Sequence, residues 1–415
     1  MPNAVRALLA TLIVLCCVPA RFGRATVTAP DKGAVRIGLL DAHSGYYEPE
    51  GEDVDAGFRY FLATHDDELG GFRVEIRTAD ENGDGALTSA QQLVQVDMVD
   101  AIVGLVRSSD ALLVAKYLAE RKTPLVVAGA GADALTQGEA QKNFTRVAHT
   151  SSQDDMPLAD YLCKRLAKRT AAVVASDGPS GWESAGGFAR AYTDAGCRVV
   201  QEQYGPEGGD WTPLVAKIDP DAQVVFASVG GIDAAPFLGA FRASGPKTAL
   251  AGDGVLTDER VLGDEGESAL GAVTALHYAA TLPSPRNGAF RHGYESLGGG
   301  PVSQYVENGY VAAAALSAAL AKLPPAPVRS DALAAALREV QFEAPRGMVR
   351  FDAFGQVVND VYIRRVTQVG GRYRNDVIAT YRAVSQFWRY DPQRYLQFPP
   401  YAKLKGTWAR PKAST

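Results

Sequence analysis

The chain has 415 residues, of which 47% are hydrophobic and 21% charged, and its net charge is −5. That length exceeds what one ordinary core serves, so two domains of a soluble globular class are expected. Lys and Arg are scattered, and no basic run interleaves with aromatics, which excludes the usual footprint of a nucleic-acid binder.

The N-terminus reads as a secretory signal peptide. Arg6 gives a positive start and residues 7–18 form a mostly apolar run. Val18-Pro19-Ala20 and Gly23-Arg24-Ala25 each offer small residues for cleavage, so the mature chain is expected to begin at Arg21 or Thr26. Twelve residues of helix span only about 18 Å, short of a hydrocarbon core of about 30 Å, which disfavours a membrane anchor. Cys16 follows Leu15 and Cys17 follows Cys16, whereas lipidation wants a small residue before the cysteine, so lipidation is disfavoured. Cys163 and Cys197 remain in the mature chain. An oxidising compartment permits their pairing, and two separate thiols fit the sequence equally well.

From residue 35 short apolar runs alternate with amphipathic segments. Residues 35–40, 74–77, 101–104 and 124–127 read as strands, and 52–65, 87–97 and 110–120 as helices. The rhythm restarts with helices at 156–168, 182–195, 211–218 and 232–243. Strands are expected at 171–175, 198–203, 223–227 and 248–251. Such βαβ alternation implies parallel sheets covered on both faces. Alanine-rich helices follow at 302–323 and 331–340, then strands at 361–366 and 373–378. Those elements suit a chain that returns to complete two lobes. Residues 385–415, with Phe387, Trp388, Tyr390, Tyr395 and Tyr401, read as an extended tail packed on the surface, with a disordered end.

Catalytic signatures are missing: there is no Gly-x-Ser-x-Gly elbow, His-Glu-x-x-His pair or phosphate-binding loop. His43, His65, His149, His277 and His292 keep no metal-ligand spacing to one another or to a Cys. They read as surface or loop residues. Residues 80–85 superficially resemble a calcium loop but lack its closing Glu, so a solvated turn is expected. No metal, cofactor or catalytic residue is expected. What remains is small polar residues where strands end: His43–Tyr47, Arg107–Asp110 and Ala128–Asp133. Ligands of parallel sheets sit at such strand ends, near helix N-termini, although a lone Ser109 or Asp110 is equally an ordinary helix cap.

These residues carry a resemblance. Val35 to Leu40 with Ser44-Gly45, Gly51 to Val54 and Gly57 come first. Val99 to Gly104 with Ser108-Ser109, Thr123 to Val126 and Leu135-Thr136 follow. Then come Phe188, Asp210 to Thr212, Gly230-Gly231, Gly252 to Gly254, Tyr305 and Gly309-Tyr310. Their order and spacing from about Val35 to Thr380 resemble the periplasmic substrate-binding proteins of branched-chain-amino-acid-type ABC transporters. That is the leucine-binding-protein-like, type I periplasmic binding protein.

The resemblance implies an α/β fold of two Rossmann-like lobes with parallel-type sheets, joined by a three-crossover hinge that closes on ligand. The expected divisions are residues 1–25 for the signal peptide, 33–148 with 277–353 for lobe 1, 149–276 with 354–384 for lobe 2, and 385–415 for the tail. Crossovers are expected near 145–151, 275–279 and 352–356. The family's carboxylate-binding serine matches Ser108, beside Ser109 and the backbone of Ala130 and Gly131. Gly131 stands where the family usually has a threonine, so that hydroxyl is missing. Ser180 stands where an aromatic lid is usual, with Trp182 two places on. Ile232 stands where a second aromatic is often found. Asp253 matches the acid that pairs with a ligand ammonium, and Tyr46 and Tyr305 complete the expected site.

The implied function is non-catalytic capture of a small carboxylate, an amino acid or a related aromatic or organic acid, for delivery to an ABC importer from the periplasm. The alternative is a secreted sensor of the same fold acting on a membrane receptor or kinase. The implied partners are the ligand and permease subunits, with no nucleic acid, and the protein is expected to be a monomer. Branched-chain amino acids, aromatic acids, amides and short polyols all remain open as ligands.

Overall fold

The computed structural model describes residues 32–409, apart from 84, 138–141 and 246. The signal peptide, Cys16, Cys17 and the expected disordered end lie outside the described residues.

Six strands make the first sheet: β1 (Ala34–Asp41), β2 (Glu68–Leu69), β3 (Phe72–Asp80), β4 (Ala101–Gly104), β5 (Leu125–Val127) and β6 (Phe144–Arg146). Their order is β2-β3-β1-β4-β5-β6, parallel except for the short β2. The second series is β7 (Thr170–Ser176), β8 (Arg198–Gly205), β9 (Val224–Ser228), β10 (Ala249–Asp253) and β11 (Val273–Leu276). These run parallel in the order β8-β7-β9-β10-β11. Both lobes therefore reverse strand order beside their first strand, between β1 and β4 and between β7 and β9. Open α/β sheets place ligands at such reversals.

The chain then returns, as its last predicted elements require. A hairpin of β12 (Gln341–Ala344) and β13 (Gly347–Phe351) leads to β14 (Val357–Val369), which pairs antiparallel with β11 and carries β15 (Arg372–Val384). β13 bonds to the first residues of β14, while Ala344, Val349 and Val357 pack into the core of the first sheet. β4, β5, β9 and β11 are buried along their whole length, which explains their short unalternating apolar runs.

The first core is closed by a helix pair. Helix Glu48–Ala63 lies against helix Gln304–Leu320 at backbone contact, and two glycines permit it. A Cβ on Gly57 would stand 1.9 Å from the Val306 carbonyl oxygen, and one on Gly309 would stand 2.0 Å from that of Val54. The second core contains a disulfide between Cys163 and Cys197, which settles the pairing that sequence left open.

Several expectations need correction. The helix expected at 156–168 is Asp155–Asp160 followed by a π-helical stretch, Tyr161–Arg165. The one expected at 211–218 is a single turn, Thr212–Val215, with Trp211 buried as a plug beneath it. Helix Pro285–Ser296 escaped the periodicity because two glycines and three charged residues leave few apolar positions; Ser284 caps it and Phe290 buries. Residues 80–85 are more than a solvated turn, because Glu81 is buried and accepts the backbone N–H groups of Val106 and Arg107, both at 3.1 Å. The tail does not merely coat the surface. It forms a helical turn, Pro392–Tyr395, and buries Phe387, Tyr395 and Tyr401 in the second core. Arg190 holds it, with its guanidinium 4.1 Å from the Phe398 ring centroid and 5.2 Å from that of Tyr401.

The connections between the sheets are tied by buried side chains. Gln356 Nε2 donates to the Ala148 carbonyl at 2.8 Å and to Gln153 Oε1 at 3.0 Å, while its Oε1 accepts Arg146 Nε at 2.6 Å. Gln153 Nε2 donates to the Val357 and Val384 carbonyls at 3.1 and 2.9 Å.

Candidate functional site

Loops after the parallel strands of both sheets converge on one cavity of about 100 Å³. From the first sheet come Tyr46, Tyr47 and Glu50 after β1, Val106 and Ser108 after β4, Gly129 and Gly131 after β5, and His149 and Ser151 after β6. From the second come Ser176 at the end of β7 with Ser180 and Gly181 after it, Glu207 after β8, Ser228, Gly230 and Gly231 at the end of β9, and Asp253 and Val255 at the end of β10. Tyr305, at the start of helix Gln304–Leu320, completes the lining.

The two walls differ in chemistry. Ser108 is the first residue of helix Ser108–Arg121, where backbone N–H groups and the helix dipole favour an anion. Its Oγ accepts the Ala132 N–H at 3.1 Å, which leaves the hydroxyl proton available to a ligand. Buried Glu81 braces the loop beneath it. Gly131 lacks the hydroxyl expected there, and Ser151 stands in its place. A Cβ on Gly131 would lie 2.7 Å from Ser151 Oγ, and the Ser151 N–H donates to the Gly131 carbonyl at 2.7 Å. The opposite wall is acidic. Asp253 Oδ1 accepts the Val255 N–H at 3.2 Å, and Oδ2 accepts only long bonds from Ser228 (3.3 Å) and Ser184 (3.4 Å). Asp253 thus closes a local turn with Val255, yet the carboxylate still faces the cavity.

Charge in the lining is one-sided. Glu50, Glu207 and Asp253 are carboxylates, and no Lys or Arg side chain lines the cavity. Burial pushes Glu50 up to about 7, and its Oε2 has no hydrogen-bond partner. Burial also raises Asp253, against the opposing pull of the Val255 N–H and the Ser228 hydroxyl. Two hydrogen bonds cross between the walls. The Tyr46 hydroxyl donates to Asp233 Oδ2 at 2.8 Å and that of Tyr47 to Glu207 Oε1 at 2.5 Å.

Of the residues expected from sequence, Tyr46, Ser108, Gly131, Ser180, Asp253 and Tyr305 meet at this cavity. Ser109 is exposed beside it, and Ala130 is buried behind it with its carbonyl accepting Arg146 Nη1 at 3.1 Å. Trp182 points away, its indole N–H donating to Asp177 Oδ1 at 2.7 Å, and Ile232 is exposed outside. Tyr47 lies in the strand-end loop singled out from sequence, but sequence reasoning missed Glu50, His149, Ser151, Glu207 and Ser228. Glu50 looks like an ordinary first-turn acid, and nothing local marks Ser151 or His149.

His149 and His277 are not surface residues; both are buried. Their Nδ1 atoms are 3.2 Å apart, and Asp154 Oδ2 lies 3.4 Å from that of His277 and 4.0 Å from that of His149. Among the described residues this is the one His/Cys/Asp/Glu group whose atoms converge closely enough to share a metal ion. No described helix is long and apolar enough to cross a membrane.

Residues 34–372 match the family described as periplasmic binding protein. Leu/Ile/Val-binding protein homolog 6 of Brucella melitensis biotype 1 is 28% identical over 360 residues, covering 84% of this chain and 91% of its own. The solved structure of an ABC transporter substrate-binding protein from Sphaerobacter thermophilus matches with a TM-score of 0.81 at 29% identity, over 85% of this chain and 99% of that one. A solute-binding protein of an ABC transporter from Rhodopseudomonas palustris, in complex with 3,4-dihydroxy benzoic acid, matches with a TM-score of 0.79 at 26% identity. That match covers 86% of this chain and 99% of the other.

Proposed function

The chain belongs to the periplasmic binding protein family, as a leucine-binding-protein-like type I member, and we propose that its ligand is a small amino acid held by both of its charges. Members of this family are solute-binding components of ABC transport, not enzymes. Such components bind small molecules and meet transporter permeases.

One observation carries the amino-acid reading: three carboxylates and no basic side chain line the cavity. A purely anionic ligand such as a benzoate would meet Glu207 and Asp253 with no cation to offset them, and desolvated like charges repel. An ammonium beside Asp253 relieves it. The ligand carboxylate then takes the Ser108 hydroxyl and the adjoining helix N-terminus, with Ser151 supplying the hydroxyl that Gly131 lacks. Tyr46, Ser180 and Tyr305 complete the enclosure.

In this reading the lobes are 33–148 with 277–353 and 149–276 with 354–384, and they close about the crossovers near 145–151, 275–279 and 352–356. The Tyr46–Asp233 and Tyr47–Glu207 bonds act as latches of the closed form. The mature protein is exported to the periplasm by the leader at 1–25 and works there as a monomer.

The test is a thermal-shift and titration panel of leucine, isoleucine and phenylalanine, their deaminated acids, and benzoate. Saturation at 100 times Kd stabilises by about 2.7 kcal/mol. At least one amino acid should bind, and Asp253→Asn should cost it tenfold or more without weakening its deaminated acid. Binding by the wild type of deaminated acids or benzoate alone would replace this reading with an organic-acid binder.

A further inference from the structure

We propose that His149, Asp154 and His277 form a site for a zinc-class divalent cation, built into two of the connections between the lobes. His149 and Asp154 lie on the segment after β6, and His277 follows β11. The separation of 128 positions between the two histidines hides the pairing from any spacing rule, yet the fold sets their Nδ1 atoms 3.2 Å apart.

The geometry is that of three ligands around one ion. A zinc ion held about 2.0–2.1 Å from each ligand in a tetrahedron sets the ligand atoms roughly 3.3 Å from one another. The separations here are 3.2 Å between the two Nδ1 atoms, 3.4 Å from His277 Nδ1 to Asp154 Oδ2 and 4.0 Å from His149 Nδ1 to the same oxygen. Only the last must shorten, by a small carboxylate rotation. Asp154 is almost wholly buried and its Oδ1 has no hydrogen-bond partner. A buried carboxylate oxygen without a donor is costly unless something cationic meets it.

The outer partners are in place. His277 Nε2 lies 3.1 Å from Asn308 Oδ1, which also accepts Arg346 Nη2 at 2.5 Å. An amide oxygen can only accept, so His277 carries its proton on Nε2 and presents a bare Nδ1 to the cluster. Asp154 Oδ2 is oriented by the His277 backbone N–H at 2.9 Å. Three arginines stand nearby, Arg146, Arg346 and Arg364. Those arginines do not leave the region cationic. Arg346 is ion-paired with Glu307 and Arg364 with Glu259, and Arg146 faces Asp133. His149 also lines the ligand cavity, so water or a ligand oxygen entering the cleft can complete the sphere. A cation here would tie two crossovers together next to the ligand.

The experiment uses the mature protein stripped with a chelator, then titrated with Zn2+ by calorimetry and with Co2+ by visible absorption. One equivalent of Zn2+ should bind, and Co2+ should give the d–d bands of a four- or five-coordinate site with imidazole ligands. His149→Ala and Asp154→Asn should each weaken Zn2+ binding at least tenfold, while His292→Ala, at an exposed histidine, should leave it unchanged. Circular dichroism checks that the variants fold. If neither does, the Co2+ spectrum of the wild type decides. Featureless Co2+ absorption, or undiminished Zn2+ binding in folded His149→Ala and Asp154→Asn, would overturn the site and leave a buried neutral histidine pair.

Discussion

The two lobes share a strand order but not a cleft wall. Each places its loops at the same reversal, β1 beside β4 in one and β7 beside β9 in the other. The first wall offers a helix N-terminus, Ser108 and Ser151, which are donors suited to a carboxylate. The second offers Asp253 and Glu207, acceptors suited to a cation. Topology therefore fixes where a ligand sits, and a few side chains at the strand ends decide which of its ends faces which lobe. The lobes also differ in how they are held. Glycines let two helices meet at backbone distance in the first, while a disulfide spans the core of the second.

The largest expected effect separates the lobes by stability. Cys163 and Cys197 close a loop of 34 residues, and losing that constraint should cost roughly 3–4 kcal/mol. Urea melts of Cys163→Ala/Cys197→Ala should show a loss of that size, and reducing agent should reproduce it in the wild type. An unchanged midpoint in both would mean that packing, not the crosslink, secures the second core.

A smaller effect probes the acid that the first wall contributes against its own pattern. Glu50 is held protonated up to about 7, whereas its ordinary value is 4.5. The folded state then binds more protons than the unfolded chain between these values, so stability of the ligand-free protein falls as pH rises from 4.5 to 7. The Glu50 share of that fall is up to about 3 kcal/mol. Glu50→Gln should flatten the pH dependence of stability over this window, measured against wild type. Parallel profiles for the two proteins would remove Glu50 from the charge balance of the cleft.

The smallest effect sharpens the contrast between walls. Ser108→Ala removes a hydrogen bond to an anion, worth roughly 1.5–3 kcal/mol. Affinity for an amino acid and for its deaminated acid should both fall about ten- to a hundredfold, since both carry the carboxylate. Asp253→Asn should weaken the amino acid alone. Equal responses to the two substitutions would abolish the proposed polarity of the cleft.

Much of this was legible in the sequence. Unbroken apolar runs such as 101–104 and 224–227 became fully buried strands, and the loops after them became the cleft. Ser108 and Asp253 were readable because each stands where an apolar run stops. Glu50 and Glu81 were not, since a carboxylate at a helix start or after a strand looks solvated until another element covers it. Tyr395 and Tyr401 looked like tail residues because nothing local shows that Gly186 leaves room for a ring against helix Pro179–Asp194.

By itself the sequence determined the order of strands and helices and the places where polar loops interrupt them, because backbone preference and apolar periodicity act over a few residues. Only the tertiary structure decided that Ser151 fills the space beside Gly131, that Cys163 reaches Cys197, and that His149, Asp154 and His277 meet across the crossovers. Those are contacts between segments separated along the chain and brought together by tertiary packing. Their distances follow from how two sheets pack, and no window of neighbouring residues encodes them.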